Sequence, residues 1–84
     1  MGAIREAIIK KAQGKLFNHL KAQPLFKDWK SSDLWRLSNE IVENNDRAIN
    51  RFLDEKKFTL GETDTAIDSV LQEVLIPEFA KLRI

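Results

Sequence analysis

The chain contains no cysteine. This absence excludes a disulfide framework, a thiolate metal site and a cysteine nucleophile, and it is compatible with a reducing compartment. No apolar run approaches the roughly 20 residues that a membrane-spanning helix needs. Arg5, Glu6, Lys10 and Lys11 interrupt the N-terminal stretch, which therefore does not resemble a secretory signal either. We accordingly expect a cytoplasmic location.

Recognisable site chemistry is also missing. The single histidine, His19, has no carboxylate or nucleophile that the sequence can place beside it. The acidic pairs Asp54/Glu55 and Asp64/Asp68 fall on helix surfaces or ends and lack the oxygen-ligand pattern of a calcium loop. We therefore predict that the protein is not an enzyme and uses no cofactor or metal.

Charge is divided unevenly along the chain. Residues 1–36 contain eight Lys/Arg and three Asp/Glu, a balance of +5, whereas residues 37–84 contain six Lys/Arg and ten Asp/Glu, a balance of −4. The net charge of +1 therefore conceals a basic first half and an acidic second half. Such a separation favours binding, since complementary charges raise encounter rates and fix orientation.

Apolar residues at helical spacing predict an amphipathic helix over residues 3–22. Pro24 ends this helix, because the residue before a proline is pushed away from helical angles. The apolar side of the helix carries Ile8, Ile9, Ala12, Leu16, Phe17 and Leu20, and the opposite side carries Lys10, Lys11, Lys15 and Lys21.

A second, longer helix is predicted from about Asp33 to about Lys57, after the candidate caps Ser31 and Ser32. Its apolar face would carry Leu34, Leu37, Ile41, Ala48 and Phe52, together with the heptad-spaced Trp35, Val42 and Ile49. Its solvent face carries three oppositely charged pairs spaced four residues apart, Arg36/Glu40, Glu43/Arg47 and Arg51/Glu55, which we expect to pair with each other.

A third helix is predicted after the break at Gly61 and runs to Pro77. The remaining residues would form either a kinked continuation or a short fourth helix, with Phe79 and Leu82 pointing inward. No stretch alternates with the period of a strand. We therefore predict one all-α domain over residues 1–84, a small bundle of three main helices with one or two short helical segments.

Two features are candidates for contact with a protein partner. The connection after Pro24 is unusually apolar, with Leu25, Phe26 and Trp29, and tryptophan is enriched at binding hot spots. The alternative is a cap over one end of the bundle; Trp35 is expected in the core. Asn45 falls in the apolar stripe of the second helix, where a buried asparagine can fix register between packed helices or can be satisfied locally.

The lysine face, made of Lys10, Lys11, Lys15 and Lys21, is a candidate anion-binding surface. Four lysines within an arc of about 140° can follow a phosphate backbone or an anionic membrane surface. The alternative is an ordinary solvated helix face. The pI of about 8.0 lies below the range typical of dedicated nucleic-acid-binding domains.

These observations predict a non-enzymatic helical interaction module that acts by protein–protein binding or by self-association, with a homodimer as one arrangement. Association between nucleic acid and the lysine face is the second hypothesis. Peripheral binding to a membrane through the first helix is the third, and it requires that helix to leave its core position.

Overall fold

The computed structural model describes residues 2–82, with side chains described from Ile4 onward. Within this range the chain is helical and has no strand, which confirms the all-α prediction. The α-helices are α1 (Gly2–Lys21), α2 (Ser31–Asn44), α3 (Asp46–Lys56), α4 (Thr63–Val70) and α5 (Ile76–Lys81). Single 3₁₀ turns lie at Pro24–Phe26 and Leu60–Glu62, and a π-helical turn at Leu71–Leu75 joins α4 to α5. None of the helices among residues 2–82 combines the length and the apolar content of a membrane span.

Helix α1 is the centre of the bundle, with α2 on one side and α4 on the other. Helix α2 runs antiparallel to α1, since Gln13 lies opposite Ser38 and Phe17 lies opposite Trp35. Helix α4 runs parallel to α1, since Thr63 lines the same groove as Ile8 while the later Asp68 pairs with the later Lys15. Helix α3 packs against α4. The bundle thus consists of α1, α2 and the α4–α5 rod, with α3 as a shorter arm.

The core contains the apolar stripe predicted for α1. Ala12, Leu16 and Leu20 have no exposed surface, and Ile8 is 7% exposed. A polar pair interrupts this core between α1 and α2, where the Gln13 side-chain amide donates to Ser38 Oγ at 3.5 Å and Ser38 Oγ donates to the Trp35 carbonyl at 2.7 Å. Both side chains are therefore buried with partners.

The predicted second helix is interrupted at Asn45, so its expected course over residues 33–57 is wrong. The Asn45 side-chain amide donates to the Ile41 carbonyl at 2.7 Å, while its backbone N–H donates to the Val42 carbonyl at 3.2 Å. The side chain thus takes the carbonyl that the backbone N–H of a continuous α-helix would use, a known route by which asparagine ends helices. Because α3 is a separate helix, its buried side does not continue the apolar face predicted for one long helix. Ala48, which was predicted on that face, is exposed.

Pro77 is accommodated by a π-helical turn. The Ile76 N–H donates to the Leu71 carbonyl five residues earlier, a wider turn that relieves the clash between a proline ring and the preceding turn. The helix therefore continues past Pro77. A continuation was one of the two alternatives predicted for this segment, the other being a separate short helix. Phe79 packs against the core as expected, but Leu82 lies beyond α5 and is 45% exposed, so its predicted inward position is wrong.

Candidate functional site

Three of the grooves on the surface of the described residues differ in how apolar their linings are. Five of the ten residues that line the largest are apolar, against two of seven and three of eight in the others. We call the largest the end groove. It is lined by Ile4, Arg5, Ile8, Leu53, Asp54, Lys57, Phe58, Thr59, Leu60 and Thr63 and has a volume of about 560 Å³.

The end groove has a buried floor and exposed lips. Ile8 of α1 and Leu53 of α3 are 7% and 6% exposed and form the floor. Ile4 and Leu60 are 44% and 73% exposed and stand at the lips. A groove of this kind accepts an apolar side chain, because burying apolar surface on both partners is favourable.

Local backbone geometry holds Leu60 in this exposed position. Lys57 ends α3 in the left-handed conformation, with φ 52° and ψ 50°, and turns the chain away from the helix. The Thr59 backbone N–H and hydroxyl then donate to Glu62 Oε1 at 3.1 and 2.9 Å, and the Thr63 hydroxyl donates to the Leu60 carbonyl at 2.8 Å. The 3₁₀ turn that carries Leu60 is therefore fixed from both sides.

The capping interactions also act on the Glu62 carboxyl group. Hydrogen bonds from the backbone N–H and then the hydroxyl of Thr59 stabilise its charged form and lower its pKa below the ordinary glutamate value. Thr59 and Glu62 thus form a capping box at the start of this turn.

The charged residues Arg5 and Asp54 on one rim of the end groove pair with each other. Arg5 donates to Asp54 Oδ1 at 2.7 Å and to the Asn50 side-chain oxygen at 3.1 Å. This contact joins the basic first half of the chain to the acidic second half. The groove therefore offers a partner mainly apolar surface, with the exposed Lys57 as a further charge at its edge.

The opposite end of the bundle, which we call the aromatic end, contains the apolar connection predicted to contact a partner. Phe26 is 1% exposed and packs edge-on against Trp29 and tilted against Phe79, with ring centroids 4.8 and 5.8 Å away. Phe26 is therefore part of the core and has no surface available to a partner. This position agrees with the alternative prediction, in which the connection caps one end of the bundle. Leu25 and Trp29 are 58% and 41% exposed and stay candidates for a contact.

Trp35 is 48% exposed, so its predicted core position is wrong. Ser38, which has no exposed surface, marks the contact between α2 and α1, and Trp35 lies three residues earlier, about 60° around the helix. At that angle the indole reaches only the edge of α1, where it meets the Phe17 ring edge-on at 5.5 Å between centroids.

Within residues 4–82, one residue of the lysine face forms a salt bridge and the other three do not. Lys15 Nζ lies 2.5 Å from Asp68 Oδ1 on α4. Across residues 4–82, no carboxylate oxygen lies within 4.0 Å of Lys10, Lys11 or Lys21. Only part of the basic face is therefore neutralised by the acidic half of the same molecule.

The three ion pairs expected along the second helix do not form at this distance. Glu43 and Arg47 lie in different helices because of the break at Asn45. The salt bridges found within residues 4–82 are instead Arg5–Asp54, Lys15–Asp68 and Lys81–Glu78.

Asn45 lies in a third groove, about 440 Å³ in volume, beside Asn44 and the exposed Leu82. It is half-buried, and its side chain is satisfied locally by the Ile41 carbonyl. The structure therefore places it at a helix junction instead of in the middle of a continuous apolar seam. A contact between Asn45 and a partner stays a prediction.

The end groove was not predicted from the sequence. Its lips come from two positions outside the predicted apolar stripes, since Ile4 lies one turn before Ile8 near the start of α1 and Leu60 lies in a turn. An apolar residue inside a turn flanked by capping residues is the signal that the sequence offered. No family model, curated protein or solved structure matches the chain.

Proposed function

We propose that the protein is a non-enzymatic, cytoplasmic helical interaction module that self-associates through the end groove. The observation that carries the proposal is the exposed Leu60 beside an apolar groove of about 560 Å³. A projecting side chain and a groove on the same patch are complementary to the same patch on a second copy, the arrangement of a two-fold symmetric interface.

The molecule exposes more surface than an average folded monomer of its mass. The chain exposes 5838 Å², whereas a monomer of 9.7 kDa is expected to expose about 5100 Å². The excess accompanies an elongated shape, 39 by 20 by 17 Å, with the end groove at one extremity. Pairing at that extremity would cover apolar surface that the single copy leaves in water.

The expected association is weak. Burying a leucine or isoleucine side chain contributes about 1.5–3 kcal/mol when it is fully removed from water, and Ile4 and Leu60 are already partly covered. The loss of translational and rotational freedom offsets much of this gain. We therefore expect a dimer that forms at micromolar to millimolar concentration. The paired Arg5 and Asp54 contribute little to its salt dependence.

Dilution of isotope-labelled protein, followed by NMR, tests the proposal. The methyl signals of Ile4, Ile8 and Leu60 should shift as the concentration changes, with translational diffusion slowing in parallel. Signals of Leu25 and Leu82, exposed leucines outside the end groove, serve as internal controls and should stay in place. Shifts confined to Leu25 and the Trp29 indole would support the aromatic end as the interface and contradict the proposal.

A further inference from the structure

A second surface lies on the side of α1 that faces away from α4. Lys10, Gly14, Phe17 and Lys21 are spaced by four, three and four residues, which places them in one row along the helix. Trp35 of α2 borders this row through its contact with Phe17. We call these five residues the lysine–tryptophan surface.

The contacts of this surface bring positive charge and aromatic rings together. Lys21 Nζ lies 5.4 Å from the Phe17 ring centroid, and that centroid lies 5.5 Å from the centroid of Trp35. The Trp35 indole is 48% exposed, and the row from Lys10 to Lys21 extends over about 16 Å at the α-helical rise.

The charges on this surface are available to a ligand. Arg5 and Lys15, which lie elsewhere on α1, pair with Asp54 and Asp68. By contrast, Lys10 and Lys21 have no carboxylate oxygen within 4.0 Å among residues 4–82. Lys10 and Lys21 are therefore outside the ion pairs that join the two halves of the chain. Glu6, one turn before Lys10 in the same row, is the acidic residue that adjoins them along the helix.

Gly14 leaves the centre of the row open. A Cβ atom built at this position would meet no atom of the neighbouring elements within 4 Å, so packing against them does not require glycine. Glycine also weakens a helix interior relative to alanine. Its effect on this surface is to leave the helix without a side chain one turn after Lys10.

We infer that the lysine–tryptophan surface binds single-stranded nucleic acid, with Lys10 and Lys21 contacting phosphates and the Trp35 indole stacking on an unpaired base. Cationic side chains that follow the backbone, together with exposed aromatic rings that stack on bases, are the recurring elements of sequence-tolerant single-strand binding. Duplex nucleic acid fits less well, because its bases are already stacked and are inaccessible to an indole on a convex helix face.

Tryptophan fluorescence tests the stacking contact directly. Trp29→Phe leaves Trp35 as the only tryptophan in the chain. Titration of this variant with oligothymidylate of about 12 nucleotides, within the usual site size of single-strand binders, should quench the emission. The logarithm of the binding constant should fall with the logarithm of salt concentration with a slope of about −1.4 for two phosphate contacts.

Anisotropy of a labelled oligothymidylate tests which residues bind. Lys10→Glu/Lys21→Glu should weaken binding at least about tenfold. Arg47→Glu/Arg51→Glu is the matched control, because it makes the same charge change on the exposed side of α3 and should alter affinity less than about threefold. Trp35→Ala should weaken binding about fivefold or more, and Trp35→Phe should restore part of the loss.

Several results would overturn the inference. Unchanged Trp35 emission at low salt would exclude stacking. Equal affinity for duplex DNA or heparin, with no effect of Trp35→Ala, would show a non-specific response to polyanions. Binding to anionic vesicles or polyglutamate but not to oligothymidylate would assign the surface to another partner class. Leu60→Ser should leave oligothymidylate binding intact, which separates this inference from the proposed self-association.

Discussion

The two ends of the bundle are stabilised in different ways. At the aromatic end, Phe26 is buried beneath Trp29 and Phe79, so ring packing closes the core. At the groove end, the turn around Leu60 is held by backbone and capping hydrogen bonds while Leu60 itself stays in solvent. An end closed by packing stabilises the fold, whereas an end held by local hydrogen bonds can leave apolar surface exposed to solvent.

The largest expected effect is at the aromatic end. Phe26→Ala should destabilise the fold by about 3–5 kcal/mol, because it removes a large side chain from a fully packed site. This loss is a large share of the total free energy of unfolding expected for a domain of this size. Urea denaturation followed by circular dichroism measures the loss. Leu25→Ala, at the exposed neighbouring position, is the control and should change stability by less than about 0.5 kcal/mol.

The next largest effect is an increase in the free energy of unfolding, caused by a substitution at the groove end. Lys57→Gly should raise the free energy of unfolding by about 0.5–1 kcal/mol, because glycine adopts the left-handed conformation without the steric penalty of a side chain. Lys56→Gly, one residue earlier within α3, should lower it by up to about 1 kcal/mol. Opposite signs at adjacent residues would confirm the backbone conformation; a loss at both positions would contradict it.

A smaller effect is expected for Leu60. Leu60→Ser should change the unfolding free energy of the dilute protein by less than about 0.5 kcal/mol, since the side chain is 73% exposed. Thermal denaturation at low concentration measures this change. A loss comparable to that of Phe26→Ala would show that Leu60 belongs to the core and would remove the distinction between the two ends.

The smallest effect concerns the Glu62 cap. Because the folded-state pKa of Glu62 is lowered, its contribution to stability is present above the ordinary glutamate pKa and is lost as the pH falls through the lowered value. Glu62→Gln should therefore lose less stability than the unmodified protein on acidification through this range. Urea midpoints of both proteins at neutral and acidic pH measure the difference, and parallel losses would contradict the assigned cap.

The sequence predicted the fold class and the buried side of α1, because a regular apolar stripe such as Ala12, Leu16 and Leu20 depends only on helical periodicity. It did not predict the break at Asn45. There a side-chain amide competes with the backbone for the Ile41 carbonyl, and periodicity carries no signal for that competition.

The candidate surfaces were predicted only in part. The lysine face was identified, but the pairing of Lys15 with Asp68 depends on how α4 packs against α1 and is not local in sequence. The exposure of Trp35 follows from the close contact at Ser38. The end groove follows from turns that bring α1, α3, the 3₁₀ turn at Leu60–Glu62 and the start of α4 together. These are properties of tertiary packing.

The most direct test of the difference between the two ends is sedimentation equilibrium of three proteins from micromolar to millimolar concentration. The unmodified chain and Leu25→Ser, altered at the aromatic end, should both rise from 9.7 kDa toward twice that mass, whereas Leu60→Ser should remain at 9.7 kDa. A monomer at every concentration for the unmodified chain, or an association abolished by Leu25→Ser and kept by Leu60→Ser, would contradict the assignment of the interface to the end groove.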